Sequence, residues 1–246
     1  MSESKLRPGI QRINKKEINV KTVRNFILLG DSGCTGFDKE SKKVLDKILR
    51  KKADLFFILG DLVCEGTKNE FREVIDFCNR RVSVPVFTLC GNHDMPDYRK
   101  ALGSSSYAVI SKNIVFICLN NSTAPFSRNE LGFLEEELRK NKKKKSFIFF
   151  HVPPSTGLHA SCMKSEEWQA LKVIMDKYKS QIECIVAAHI HAFQDCRLDG
   201  YHIIITGGGG AKMYDLEKDT LKKHHAIKIG LENKNAVSYR VLPIEV

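Results

Sequence analysis

The stretch FFILGDLVCEG, residues 56–66, runs from four apolar residues into a glycine and then places Asp61 where the apolar run stops. A short apolar run rich in Phe and Ile is typical of a buried strand. The stretch NFILLGDSGCTG, residues 25–36, has the same arrangement, with Asp31 at the corresponding position. The chain therefore directs an acidic residue off the end of a buried strand twice, which indicates a shared site.

Strands and helices alternate through the middle of the chain. Apolar runs of strand length occupy residues 25–30, 54–60, 84–90, 113–119, 146–150 and 183–188. Amphipathic helices are predicted between them, and Thr67-x-x-Glu70 and Ser127-x-x-Glu130 predict capping boxes at the start of two of these helices. This alternation predicts an α/β fold with a largely parallel inner sheet that is covered by helices.

The two ends of the chain differ from this middle part. Strand patterns with almost no helix between them occupy residues 192–198, 201–205, 223–230 and 236–242. They predict antiparallel hairpins that complete a second sheet, so we expect a layered sandwich rather than a doubly wound open sheet. Residues 1–24 are charged and lack periodicity. We expect an N-terminal extension or poorly ordered arm at 1–24, followed by a single domain at 25–246.

The composition is that of an ordinary globular protein. Hydrophobic residues make up 42% and charged residues 28% of the 246 positions. No apolar run approaches the roughly 18–20 residues that a membrane-spanning helix needs, and the first residues lack the apolar core of a secretory signal. We therefore expect a cytoplasmic protein without a membrane span. The eight cysteines are scattered through a long chain, which predicts reduced thiols rather than a disulfide framework.

The formal net charge of +11 favours anionic partners, namely phosphate esters, nucleic acid or a membrane surface. The basic residues are dispersed, however, and the densest run, Lys142–Lys145, follows a predicted helix, where cations complement the helix dipole. The sequence also lacks the aromatic–basic interleaving that stacks single-stranded nucleic acid. Nucleic acid therefore ranks below a small phosphate ester as the predicted substrate, and no pattern identifies a protein partner.

Polar side chains collect just past the apolar runs. They are Asp31, Asp61, Asn92, His93, Asp94, His151, His189 and His191. Ligands bind to parallel sheets where the carboxyl ends of the strands meet. Each residue alone has a structural explanation, because Asp commonly forms turns and a buried His is commonly held by hydrogen bonds. Such explanations would have to hold independently at five strand ends, so the set predicts a cluster of oxygen and imidazole donors.

Mixed oxygen and nitrogen donors suit divalent first-row metal ions. Asp61 is the candidate bridge, because one carboxylate can hold two cations at the roughly 3.5–4 Å separation of two-metal sites. Two metals lower the pKa of a bound water toward about 7 and stabilise the attacking and leaving oxygens of a displacement at phosphorus. Asn92 would then help to position the phosphoryl oxygens, and His93, with Asp94 beside it, would protonate the leaving group.

The motifs GD, GDxxC, GNHD, a single His and AHIH, in this order over residues 25–210, resemble the calcineurin-like metallophosphoesterase superfamily. The resemblance implies a four-layer α/β/β/α sandwich of mixed sheets with a binuclear centre on one edge, holding two divalent or trivalent ions of Mn, Fe, Zn or Co. It further implies the ligands Asp61, Asn92, His151 and His189 for the second metal and Asp31, Asp61 and His191 for the first, with His93 as the acid/base residue.

The first motif departs from the commonest family pattern, Asp-x-His, because Gly33 stands where the histidine would be. It resembles the GDxG motif of purple acid phosphatases, which supply a tyrosine three residues after the bridging aspartate. In this chain that position is Cys64. Cys64 is either a thiolate ligand or a small buried residue, and both interpretations stay open. Cys34 would either make the centre sensitive to oxidation or be an inert loop residue.

Two further features follow the predicted ligands. His159 lies in a loop rich in small residues after His151 and is a candidate contact for a substrate phosphate. Gly207–Gly210 permits a close approach of the backbone to the site or simply turns the chain. His202, His224 and His225 are interpreted as residues without a ligand role.

The leading hypothesis is a hydrolase in which a metal-bound hydroxide attacks a phosphomonoester or phosphodiester. The resemblance extends this substrate class to cyclic nucleotides. One alternative is a nuclease that uses the same site. Another is a protein-binding scaffold of this fold without catalysis, which the retained His93 disfavours and the missing first-motif histidine favours.

Overall fold

The computed structural model describes residues 6–123, 125–219, 221–233 and 236–246. Two β-sheets pack face to face in this part of the chain. The strands are β1 (Gly9–Ile10), β2 (Glu17–Asn19), β3 (Asn25–Leu29), β4 (Leu55–Ile58), β5 (Pro85–Thr88), β6 (Tyr107–Ile110), β7 (Ile114–Cys118), β8 (Lys145–Phe149), β9 (Ile182–Ala187), β10 (Phe193–Leu198), β11 (Tyr201–Thr206), β12 (His225–Asn233) and β13 (Ala236–Pro243).

Both sheets contain parallel and antiparallel pairs. The first sheet has six strands in the order β1-β5-β4-β3-β12-β13, and the second has seven in the order β10-β11-β9-β8-β7-β6-β2. The neighbours β3, β4 and β5 are parallel in the first sheet, as are β7, β8 and β9 in the second. The carboxyl ends of each set of three strands therefore lie together at one edge of a sheet.

Helices cover the two outer faces of the sheet pair. They are α1 (Lys39–Leu49), α2 (Lys68–Asn79), α3 (Tyr98–Leu102), α4 (Arg128–Lys140) and α5 (Ser165–Met175), followed by a 3-10 turn at Asp176–Gln181. Apolar side chains of α1, α2 and α3 pack on the first sheet, and those of α4 and α5 pack on the second. The four layers are thus α/β/β/α, which confirms the predicted sandwich. Both predicted capping boxes are also present, at the first residues of α2 and α4.

Alternating side chains along each inner strand divide the core. Phe26 and Leu28 of β3 face the space between the sheets, whereas Ile27 and Leu29 face the helices. The rings that fill the space between the sheets form an aromatic layer of Phe26, Phe57, Phe87, Phe116, Phe147 and Phe149. All six side chains are fully buried.

The structure corrects the predicted division of strands between the sheets. The C-terminal hairpins do not complete one second sheet, because β10–β11 joins the second sheet whereas β12–β13 joins the first. Strand β12 pairs antiparallel with β3 and adds Ile227 and Ile229 to the core between the sheets. Strand β12 thus covers the edge of β3 and also contributes apolar side chains to the core. Periodicity alone does not state which edge a hairpin joins.

The expectation of a poorly ordered arm is also corrected for residues 6–24. Strand β1 pairs with β5 at one end of the first sheet, and β2 pairs with β6 at one end of the second. Ile13 and Ile18 are buried in the core between the sheets. These strands are only two and three residues long, too short to show an alternating pattern in the sequence.

Within the described residues, no helix is long and apolar enough to cross a membrane. The cytoplasmic location stays a prediction from the sequence. All eight cysteines have free thiols, as their scattered positions predict.

Candidate metal centre

Loops from both sheets meet at one edge of the sandwich. Asp31 follows β3, Asp61 follows β4, and the Asn92–Asp94 loop follows β5 in the first sheet. His151 follows β8, and the loop with His189 and His191 follows β9 in the second sheet. Because these strands are parallel within each set of three, their carboxyl ends bring the predicted polar side chains together.

One set of converging atoms is the second donor group, Asp61, His151 and His189, whose ligand atoms lie within 4.8 Å of one another. His151 Nε2 is 3.4 Å from Asp61 Oδ2 and 3.2 Å from His189 Nδ1. Asn92 Oδ1 adds a further oxygen, 3.0 Å from His151 Nε2. Donor atoms of three other predicted ligands thus lie within 3.4 Å of His151 Nε2.

The ring of His151 is fixed by the backbone around it. Its Nδ1 lies 2.8 Å from the carbonyl oxygen of Leu59, which accepts a hydrogen bond from that nitrogen, so Nε2 is the ring nitrogen that faces the other donor atoms. Asn121 Oδ1 accepts hydrogen bonds from the backbone N–H groups of His151 and Val152, at 2.9 and 3.0 Å. Asn121 was not predicted, although it follows β7 at the same edge, where the rule of inspecting strand ends would have found it.

The first donor group consists of Asp31, Cys34 and His191. Cys34 Sγ lies 3.1 Å and Asp31 Oδ1 lies 3.8 Å from His191 Nε2. His191 Nδ1 lies 2.8 Å from the carbonyl oxygen of Lys212, which again leaves Nε2 to face the group. Asp31 is fully buried, and its Oδ1 has no hydrogen-bond partner among the described residues.

Backbone hydrogen bonds join the two donor groups. Asp31 Oδ2 accepts a 2.9 Å bond from the N–H of His189, so a residue of the second group is held by a carboxylate of the first. The N–H of Gly33 donates to the carbonyl oxygen of Asp61 at 3.0 Å, and Asp61 Oδ1 accepts from the N–H of His93 at 3.0 Å. The loops after β3, β4, β5 and β9 are therefore fixed relative to one another.

Three residues of the donor groups have left-handed backbone conformations. The φ angles are 59° at Asp31, 53° at Asp61 and 67° at His189. Such angles are uncommon for residues other than glycine and cluster at functional sites, where neighbouring contacts maintain them. Gly207 lies close enough that a Cβ there would be 2.8 Å from Asp31 Oδ2. The glycine run after β11 therefore permits a close approach to the first donor group.

His93 and Asp94 have separate positions. His93 is exposed, and its Nδ1 lies 2.9 Å from the carbonyl oxygen of Cys64. Asp94 is fully buried and accepts backbone hydrogen bonds from Asp61, Leu62, Val63 and Gly91 at 2.8–3.2 Å. The carboxylate of Asp94 thus holds the loop of Asp61 and does not contact the ring of His93, and its catalytic role stays a prediction.

Cys64 belongs to neither donor group among the described residues. Its backbone N–H donates to Glu70 Oε1 at 3.1 Å, and its carbonyl oxygen contacts His93, so the loop presents its backbone to the site. Burial and the nearby carboxylates of Glu70 and Glu65 raise the pKa of the thiol. Cys34 is the cysteine whose sulfur lies against a predicted ligand, and the ligand role of Cys64 stays an open prediction.

Burial and mutual charge shift the pKa values of the donors. Burial, with the Asp61 carboxylate adding to it, raises the pKa of Asp31 well above its usual value. Burial opposes both shifts in the Asp61–His151 pair, yet mutual attraction lowers the pKa of Asp61 to about 2 and raises that of His151 to about 9. Burial lowers the pKa of His189 to about 4. Buried acids and imidazoles with an unpartnered carboxylate oxygen are a donor set that fits two cations.

A cleft of about 390 Å³ opens over the two donor groups. Asp61, His93, His189 and Lys212 are among the residues that line it. Tyr214 lines it too and stacks on His191, with ring centroids 4.5 Å apart.

His159 lies behind Tyr214, with ring centroids 5.4 Å apart, and is not a lining residue of the cleft. His202, His224 and His225 belong to neither donor group.

Comparison with known proteins agrees with this geometry. The family model described as calcineurin-like phosphoesterase matches residues 24–193. An anchor protein of the inner membrane complex of Plasmodium is similar in structure, with a TM-score of 0.68, 13% identity, and coverage of 90% of this chain and 85% of that chain. A dimetal phosphatase from Danio rerio has a TM-score of 0.66, 15% identity, and coverage of 89% and 96%. No curated protein matches the chain.

Proposed function

Because the chain belongs to the calcineurin-like phosphoesterase family, we propose that it is a binuclear-metal-dependent hydrolase of phosphomonoesters or phosphodiesters. The observation that carries the proposal is the pair of donor groups beneath one cleft. Within this family such a pair fits two metal ions. A dimetal phosphatase with a similar fold supports the same interpretation.

The proposed ligands divide between two ions. Asp31 and His191 would hold the first, Asn92, His151 and His189 would hold the second, and Asp61 would be shared by both. When bound, two such ions supply an activated water nucleophile and stabilise charge on the oxygens of the transferred phosphoryl group. Asp94 and Asn121 position the ligands, since each accepts several backbone hydrogen bonds within the ligand loops.

We propose that His93 passes a proton to the leaving group. Its Nδ1 lies 2.9 Å from the carbonyl oxygen of Cys64, which holds a proton on Nδ1 and fixes the orientation of the ring. The other nitrogen, Nε2, is then free for proton transfer in the cleft that His93 lines. The bond between its backbone N–H and Asp61 Oδ1 sets the distance between this acid and the proposed bridge.

A small phosphate ester is the proposed substrate. A cleft of about 390 Å³ lies within the roughly 300–1,000 Å³ range of small-molecule sites. Lys212 is exposed at the cleft and offers a positive charge to a phosphate. Phosphomonoesters, simple diesters and cyclic nucleotides are the substrates to compare.

The test begins with the full chain stripped of metal. Manganese, iron, zinc or cobalt is restored in turn, and hydrolysis of model monoesters, diesters and cyclic nucleotides is measured. We expect activity to return with at least one metal and to fall by more than about 100-fold in Asp61→Asn, since even residues that only orient metal ligands contribute roughly 10–100-fold. Asp76→Asn, an exposed substitution on α2, is the matched control. Activity that no metal restores, or that survives Asp61→Asn, rejects the proposal.

The same preparation tests the two alternatives. A non-catalytic scaffold, which the similar anchor protein and the missing first-motif histidine favour, would bind much less than two metals per chain and hydrolyse none of these esters. A nuclease would prefer DNA or RNA over the small esters and bind it with steep salt dependence.

A further inference from the structure

Cys34 is the one member of the first donor group that the residue pattern assigned no ligand role. It is 4% exposed, and its Sγ lies 3.1 Å from His191 Nε2. Sγ also lies within 4.8 Å of a ligand oxygen of Asp31. Donor atoms bound to one ion at about 2.0–2.3 Å are themselves roughly 3–4 Å apart, so this spacing suits a common ion.

An ordinary buried cysteine would lie among apolar side chains, as Cys78 and Cys90 do in the first sheet's helix-facing core. Cys34 lies instead beside an imidazole and a carboxylate. The independent observation is Asp31 Oδ1, which belongs to the same group, is fully buried and has no hydrogen-bond partner in the part of the chain that the structure describes. An oxygen and a sulfur atom are therefore both directed at the position that His191 Nε2 faces.

The loop that carries Cys34 is held close to the second strand end. The N–H of Gly33 donates to the carbonyl oxygen of Asp61, and a Cβ at Gly33 would collide with the backbone of Leu62. Asp31, with its left-handed φ of 59°, begins this turn. The backbone thus brings the third residue after Asp31 back toward the donor group.

We propose that Cys34 Sγ is a ligand of the first metal ion and takes the place of the histidine that the first motif lacks. This inference rests on the proposed function, because it assumes the two-metal centre. The Asp31–Cys34–His191 group then favours thiolate-accepting ions such as Zn²⁺ or Co²⁺ over Mn²⁺. The second donor group offers only oxygen and nitrogen, so its preference for Zn²⁺ or Co²⁺ over Mn²⁺ should be weaker. When an ion binds, the Cys34 thiol releases its proton to solvent and the sulfur binds as a thiolate.

Cobalt reports thiolate ligation directly. Metal-free protein titrated with Co²⁺ should develop a sulfur-to-cobalt charge-transfer absorption in the near ultraviolet. We expect this band to be lost in Cys34→Ser and kept in Cys64→Ser, the matched control, because Cys64 belongs to neither donor group. The affinity of the first ion should also fall by more than about tenfold in Cys34→Ser, since even residues that only orient ligands contribute that much.

A hard ligand at the same position gives a second, positive readout. Cys34→Asp restores a ligand and should shift the ratio of Zn²⁺ to Mn²⁺ affinity toward Mn²⁺. If these variants fail to fold, X-ray absorption of the wild-type protein loaded with cobalt replaces them. It should detect a sulfur neighbour at about 2.3 Å from part of the metal.

The inference is overturned if wild-type protein binds two cobalt ions without the absorption band or a sulfur neighbour. It is also overturned if Cys34→Ser keeps the band. In both cases the proposed function is still supported if the protein hydrolyses phosphate esters and this activity depends on Asp61. If no metal binds and no ester is hydrolysed, the proposed function itself fails, and Cys34 has no metal to ligate.

Discussion

Between the sheets, Phe57 packs against three rings of the aromatic layer at centroid distances of 4.9–5.5 Å and has no exposed surface. At the carboxyl edge of the same sheets, equally buried Asp31 keeps an oxygen without a partner and a left-handed backbone. Burial of apolar rings stabilises the fold, whereas burial of an unpaired carboxylate destabilises it. The stability of the fold and the chemistry of the site therefore come from separate regions of the molecule.

The largest expected effect is on the aromatic layer. Phe57→Ala removes a fully buried ring, and we expect the free energy of unfolding to fall by about 3–5 kcal/mol because a cavity replaces the ring. Denaturant unfolding measures this change. The folded fraction should still bind the same number of metal ions per chain. Circular dichroism checks that the variant is folded. If the folded variant has lost its metal ions, the aromatic layer also supports metal binding and the two regions are not separate.

The opposite effect is expected at the carboxyl edge. Asp31→Asn removes the charge of a buried carboxyl whose pKa burial has raised, while the amide oxygen still accepts from the N–H of His189. At neutral pH the metal-free variant should unfold with a free energy about 1–3 kcal/mol higher than wild type, because on folding the wild-type carboxyl must take up a proton or be buried as a charge, and the amide does neither.

The same variant should lose the ion of the first donor group. Asp76→Asn, on the exposed face of α2, should change neither stability nor metal content by comparison. If the metal-free Asp31→Asn protein is less stable than wild type, then Asp31 stabilises the fold, and the contrast with the aromatic layer is wrong.

Asn121 tests whether a residue that only positions ligands affects metal binding at the carboxyl edge. Asn121→Ala removes the oxygen that accepts from the N–H groups of His151 and Val152. We expect the metal affinity of the second donor group to fall by roughly 10–100-fold, as for other residues that orient metal ligands. Calorimetric titration measures the affinity, and Asn113→Ala, on the exposed turn before β7, is the control. Equal affinities in both variants would contradict the assigned role of Asn121.

The smallest effect concerns pH. The Asp61 carboxylate raises the pKa of His151 to about 9 in the metal-free chain, so at neutral pH the ring is protonated and an ion must displace that proton. Apparent metal affinity should therefore rise with pH by about tenfold per unit and level off near pH 9. Proton release measured by calorimetry in two buffers checks this. Metal affinity independent of pH below that value would contradict the account.

Sequence reasoning located the edge of the sheets that carries the site because a strand's carboxyl end follows directly from its apolar run. Asp61 and His151 are far apart in sequence, yet each follows a parallel strand, and topology brings them within 3.4 Å. The choice of cysteine could not be made in the same way. Cys34 and Cys64 each stand three residues after an aspartate, and only the turn geometry decides which sulfur faces His191.

Other features were missed because local pattern does not contain them. Strand β12 joins β3 across almost the whole chain, a pairing that no hairpin rule predicts. The role of Asp94 depends on four backbone N–H groups that only converge in the folded loops. Such features arise from tertiary contacts between distant loops.

Anomalous X-ray diffraction from crystals of the full chain loaded with zinc or manganese is the most direct test of the two-metal centre. We expect two metal peaks roughly 3.5–4 Å apart at the carboxyl edge, both in contact with the Asp61 carboxylate. One ion, or two ions of which only one touches Asp61, would contradict it.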